Sequence, residues 1–148
     1  RDRSVSRGLG DVYKRQLLTC NYDELNECMI NSIYSSDSLI RESMADIIGE
    51  KHLKSALNTL YTRLEIEENN YVTRSIVEAI GKIDGIQGIQ KLLTWFEKNK
   101  NRFEESKYYG IYNHMAYALQ RMDTSDEKNY FKEFINKYST KITLLGMQ

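Results

Sequence analysis

Ile40-Arg41-Glu42-Ser43-Met44-Ala45-Asp46-Ile47-Ile48-Gly49 and Val72-Thr73-Arg74-Ser75-Ile76-Val77-Glu78-Ala79-Ile80-Gly81 are one ten-residue pattern written twice. A worn third copy reads Ile111-Tyr112-Asn113-His114-Met115-Ala116-Tyr117-Ala118-Leu119-Gln120. The first two begin 32 residues apart, a period that belongs to arrays of stacked helical hairpins. Positions one, five, eight and nine are apolar in every copy, which gathers them on one face of a 3.6-residue helix. Position six (Ala45, Val77, Ala116) lies off that face and is small or β-branched, so a neighbouring helix can press close. Gly49 and Gly81 close the first two copies, and glycine at that place predicts a left-handed helix C-cap.

The stretches between the copies follow the same plan. Only Glu50-Lys51 separates the first patterned helix from an apolar stripe of Leu53, Ala56, Leu57, Leu60 and Leu64. So short a connection predicts an antiparallel helix pair. After Gly81 a partner helix carries Ile86, Ile89, Leu92, Leu93 and Phe96, and the offset of 32 lays Ala56 on Gly88, Leu57 on Ile89, Leu60 on Leu92 and Leu64 on Phe96. Gly88 in place of Ala56 predicts a close helix approach. Ser36-Asp37-Ser38 supplies N-cap oxygens to the first patterned helix. Glu67-Glu68-Asn69-Asn70 supplies a capping Asn to the second, with acids suited to a helix N-terminus. Upstream, Leu25, Cys28, Met29 and Ile33 recur at helical spacing, which predicts a helix over 22–34 with Cys28 as a reduced core thiol. The third copy follows after 39 residues, the surplus falling in the polar stretch 97–110 as loop or lengthened helix. Thr124-Ser125-Asp126 then predicts a cap for a last helix bearing Tyr130, Phe131, Phe134, Ile135 and Tyr138. The tail 141–148 ends on exposed-looking Ile142, Leu144, Leu145 and Met147, so the C-terminus is expected to be cut short or to pack on further structure.

Two resemblances bear on this plan. Ser6 to Gln16 resembles the translation of a sequencing adapter, a contaminant of assembled metagenomic reads. The expectation is therefore that 1–16 is an adapter-derived or disordered tail and that the chain from Leu17 is a fragment of something longer. Residues 1–16 hold five of the 21 basic and two of the 21 acidic side chains, which leaves 16 against 19 and a net charge of −3. The apparent basic arm for nucleic acid goes with them. The repeated motif, hydrophobic-Arg-x-x-small-small-x-small-Leu-Gly in character, resembles HEAT-like repeats of the short phycobilisome-lyase type. Ile40 to Gly49 matches nearly throughout; Thr73 stands for the Arg in copy two, and Tyr112 and Gln120 for Arg and Gly in copy three. The resemblance covers about Tyr22 to Tyr138. It implies an all-α, right-handed α-solenoid of antiparallel helix pairs over 17–140, with the second helix of each pair on the concave side. It says nothing of activity.

Composition narrows the function classes. Proline is absent, which suits uninterrupted helices. No stretch approaches the length of a membrane span, and a cytoplasmic location is expected. Cys20 and Cys28 form neither a disulfide framework nor a Cys-x-x-Cys pair. His52 and His114 are expected at the surface, without a second ligand at metal spacing, and Tyr112, Asn113 and His114 cannot share a helix face. Gly81, Gly85 and Gly88 do not spell a phosphate loop. No catalytic residue, cofactor or metal is assigned. Interspersed charges of both signs lack the basic stripe that phosphate binding needs. Opposite the apolar stripe lie Ser55, Asn58, Thr59 and Thr62, then Gln87, Gln90, Lys91 and Thr94, flanked at equivalent positions by Arg63 and Trp95. Uncharged hydrogen-bonding groups in register suit a peptide or protein surface, and Arg and Trp are enriched at interface hot spots. The crowded Tyr108, Tyr109, Tyr112 and Tyr117 are read as packing. The expectation is a non-catalytic scaffold that binds another protein along this face. A regulatory or substrate-binding module of a lyase-type enzyme is the alternative, and a nucleic-acid-binding module a second.

Overall fold

The computed structural model describes residues 15, 17, 18, 22–103, 110–122 and 129–143. Six helices, and no strand, are found among them: α1 (Asp23–Asn31), α2 (Ser38–Glu50), α3 (Leu57–Leu64), α4 (Asn70–Asn99), α5 (Ile111–Met122) and α6 (Tyr130–Lys137). Short 3-10 turns follow α1 (Ser32–Tyr34), precede α3 (Lys54–Ala56) and follow α4 (Lys100–Arg102). No helix among the described residues is long and apolar enough to cross a membrane. The expectations for 6–14, Cys20, Tyr108, Tyr109, the Thr124-Ser125-Asp126 cap, Leu144, Leu145 and Met147 lie outside the described residues.

Local sequence accounts for where the helices begin. Asp37 caps α2 by accepting from the Leu39 amide at 2.9 Å, and Asn69 caps α4 by accepting from the amides of Tyr71 and Val72 at 2.9 and 3.2 Å. Each thereby satisfies amides that the first helical turn leaves without a partner. Asn129 does the same for α6.

The helix stops differ from the expectation. Neither Gly49 nor Gly81 adopts the left-handed conformation. Helix α2 runs through Gly49 to Glu50, and His52 takes the positive φ of 52°. The His52 amide returns to the Gly49 carbonyl and the Leu53 amide to the Ile48 carbonyl, so His52 closes a Schellman motif. In α4 the break comes at Gly85, with φ 66° and ψ −144°, and joins arms 70–84 and 86–99. Both patterned glycines instead buy closeness between helices. A Cβ on Gly49 would fall 2.9 Å from the Ala79 Cα, and one on Gly81 would fall 2.0 Å from the Met122 sulfur. Gly88 lies as tightly against the preceding arm, where a Cβ would come 2.8 Å from the Asp84 Cβ and 3.1 Å from the Ile80 carbonyl oxygen. Gly85 has nothing within 4 Å of such a Cβ, so Gly85→Ala carries backbone strain alone. Its expected loss is about 1–3 kcal/mol, measurable by urea denaturation.

The most extensive helix contact is α2 on α4, followed by α4 on α5, α3 on α4 and α5 on α6, while α1 and its 3-10 turn lie against α2 and α3. The off-face residues Ala45, Val77 and Ala116 are fully buried, as close approach requires. Ile47, Ile48, Val72, Ile76, Ala79, Ile80, Met115 and Leu119 form one core with Leu60, Leu64, Leu92 and Phe96. Ile40 and Ile86 depart from the stripe and are exposed; Ile86 follows the Gly85 break, which turns it outward. Leu17 and Leu18 pack against this core, and so does Ile142, against expectation. Cys28 is a free and exposed thiol in place of a core one, because Met29 and Ile33 alone take the buried side of this segment. After α4 the surplus residues continue as the 3-10 turn and a buried Phe103.

Candidate functional site

Helix α3 and the second arm of α4 bury Leu60, Leu64, Leu92 and Phe96, which turns their opposite sides outward. Ser55, Asn58, Thr62, Gln87, Gln90, Lys91 and Thr94 are exposed there, and Thr59 is half-buried. Equivalent residues behave alike: Thr62 Oγ1 donates to the Asn58 carbonyl at 2.9 Å, and Thr94 Oγ1 to the Gln90 carbonyl at 3.1 Å. The Gln90 side-chain amide donates to the Tyr130 hydroxyl at 3.3 Å. Lys91 lies 3.7 Å from Asp84, which also accepts from the Tyr61 hydroxyl at 3.0 Å. Burial first, then the Asp84 carboxylate, pushes the Tyr61 phenol well above its ordinary value.

Two residues of the expected face do not belong to it. Trp95 is 8% exposed; its ring meets Phe103 edge-on at 6.0 Å and the Arg102 guanidinium lies 5.7 Å from it. It is spent on holding the end of α4. Arg63 turns to Glu67, its Nε donating to Oε1 at 3.0 Å.

Glu67 is the residue that sequence reasoning missed. Its side chain stands at the start of α4, as its acidity suggested, but it is buried, at 0% residue exposure. Arg41 Nε and Nη2 donate to its two oxygens at 2.8 and 3.0 Å, and the amides of Glu68 and Asn69 donate at 3.2 and 3.1 Å. Burial alone would push this carboxyl up, but the bonds from Arg41, the Asn69 amide and Arg63 outweigh it and hold the group below its ordinary value. Arg41 also reaches the Ser35 carbonyl at 2.8 Å. From the other side, Arg102 donates to the carbonyls of Leu64 (2.7 Å), Glu65 and Glu67 (3.4 Å). The turn between α3 and α4 is therefore held through both its carboxylate and its carbonyls, and it fixes how the two halves of the exposed face meet. The offset of 32 maps Arg41, Arg63 and Glu67 onto Thr73, Trp95 and Asn99; the cluster is replaced as a unit, a signal that was open to sequence reasoning.

A second buried carboxylate has the opposite balance. Glu78 is paired with Arg121 at 2.7 Å, yet burial first, with Asp46 adding to it, pushes its carboxyl up against the pull of Arg121. A carboxyl raised in the folded state weighs against folding at pH above both its values, and that penalty fades as pH falls toward its unfolded value. Glu78→Gln is therefore expected to cost less than Glu67→Gln at neutral pH and to lose any advantage in acid, as paired denaturation curves at two pH values would show.

His114 is buried rather than at the surface, with its ring 4.6 Å from that of Tyr71, because α5 turns it toward α4; His52 is exposed. Among the described residues no three His, Cys, Asp or Glu side chains gather as a metal site. Tyr112 packs between Phe96 and Tyr138, with centroids at 5.4 and 5.2 Å, whereas Tyr117 lies under the Arg74 guanidinium at 4.3 Å. Comparison with protein-family models, curated proteins and solved structures found no match to this chain.

Proposed function

We propose that the chain is a right-handed, HEAT-like array of stacked antiparallel helix pairs, without catalytic duty, that holds another protein or a peptide on the face formed by α3 and the second arm of α4. The observation that carries the reading is the repetition of exposed hydrogen-bonding side chains (Ser55, Asn58 and Thr62, then Gln87, Gln90 and Thr94) on two elements whose other sides are buried. Contacts of α2 with α4 and of α4 with α5, made through Gly49 and Gly81, support the layered arrangement. The Glu67 cluster supports a surface that is already shaped before a partner arrives, which lowers the ordering cost of docking. Lys91 on this face lies beside Asp84. Such a surface suits peptide carbonyls and amides better than a row of phosphates.

The test is selection of binders from a displayed peptide library, followed by affinity measurement on Asn58→Lys/Gln87→Lys, a pair of exposed replacements that leaves the core untouched. Loss of at least tenfold in affinity for most selected binders is the expected result. Binders that tolerate both replacements without change would place the interaction elsewhere.

A further inference from the structure

Between the second arm of α4 and α6 lies an open cleft of about 160 Å3. Leu93, Phe96, Phe134 and Tyr138 form its apolar walls, and Glu97, Glu133 and Lys137 stand among its polar lining. An apolar cavity of about 150 Å3 takes one benzene ring, so the space matches a single six-membered ring. The walls suit an aromatic guest. Phe96 and Phe134 lie 5.3 Å apart at 58°, and Phe134 and Tyr138 4.8 Å apart at 57°. Tilted rings of this kind present edges and faces on which a further ring packs favourably.

The charges decide the rest of the ligand. Glu97 is spent, its two oxygens holding Lys137 at 2.9 Å and Lys100 at 3.1 Å. Those two lysines, in turn, lie over the Tyr138 ring at 5.5 and 5.1 Å. Among the described residues Glu133 makes no ion pair, and it is exposed. Among the described residues the lining therefore holds one carboxylate outside any ion pair, beside a ring-sized apolar space. We propose that this cleft binds one aromatic ring carrying an alkylammonium arm, the ring against Phe96, Phe134 and Tyr138 and the ammonium on Glu133. A free aralkylamine and the N-terminal aromatic residue of a peptide share this chemistry. The site does not depend on the polar face described above.

The test is a titration of the isotopically labelled chain with 2-phenylethylammonium, followed through the amides of 93–97 and 130–138, with affinity in the millimolar range. Benzyl alcohol supplies the ring without the charge, and butylammonium the charge without the ring; both are expected to bind more weakly. Glu133→Gln, an exposed replacement, is expected to weaken the aralkylammonium about two- to fivefold and to leave benzyl alcohol unchanged. A phenylalanyl dipeptide amide that binds more tightly than the free amine, and loses binding on N-acetylation, identifies a peptide terminus as the source; the reverse order identifies the free amine. Shifts absent from these segments, equal binding of butylammonium or benzyl alcohol, or indifference of the aralkylammonium to Glu133→Gln would each overturn the assignment.

Discussion

Glu67→Gln is expected to lower the unfolding free energy by about 3–5 kcal/mol near neutral pH, the range for removing one partner of a buried ion pair. The replacement leaves the Arg41 guanidinium, itself 8% exposed, without the anion that two of its nitrogens address. It also puts an amide nitrogen where N–H donors converge. The pH dependence follows from the direction of the shift. Glu67 is held below its ordinary value when folded, so its contribution is fully present above the unfolded value and is lost as pH falls through the folded one. Urea denaturation at a series of pH values should show wild type and variant far apart at neutral pH and converging in acid. A small, pH-independent difference would mean that the carboxylate does not hold the turn. Such a cluster is weak evidence of net stability, since well-packed apolar residues often serve as well. What it secures here is the geometry of one joint.

Phe96→Ala is expected to cost about 3–5 kcal/mol, as for other fully buried aromatic side chains. Phe96 meets Tyr112 of α5 at 5.4 Å, Phe134 of α6 at 5.3 Å and Tyr138 at 5.7 Å, so it joins the second arm of α4 to both elements that follow. In the layered arrangement proposed above the damage should be local. Hydrogen exchange should lose protection in α5 and α6 first, while α2 and the first arm of α4, joined through Gly49 and Ala79, keep theirs. Equal loss in every helix would argue for one shared centre.

These effects rest on parts of the molecule that sequence made legible to different degrees. Apolar spacing and side-chain caps are local signals, and they located α2, α4 and α5 and the Asp37 and Asn69 caps. The glycines misled because two demands compete for the same residue. A glycine suits a left-handed stop, but it also admits another helix at backbone distance, and the second demand prevailed at Gly49 and Gly81. His52 and Gly85 then took the positive φ values. Side-chain partners across 26 residues, as between Arg41 and Glu67, leave no periodic trace. Only the joint replacement at Thr73, Trp95 and Asn99 hints at them. Trp95 and Arg63 shared a helix face with the polar ladder by spacing alone, yet each had a partner within reach that drew it inward. His114 shows the converse: a polar residue buried by a packing partner, Tyr71, that helix periodicity on one element cannot reveal.

The proposed array requires helices that bury one another in sequence, layer against layer, and through-space magnetisation transfer in a labelled sample tests that directly. Cross-peaks are predicted between the Gly49 α-protons and the Ala79 methyl, between the Gly81 α-protons and the Met122 γ-protons, and between the rings of Phe96 and Phe134. Contacts of Met29 or Ile48 with the Phe134 ring would contradict it, because they would require the first and last helices to close around a common centre.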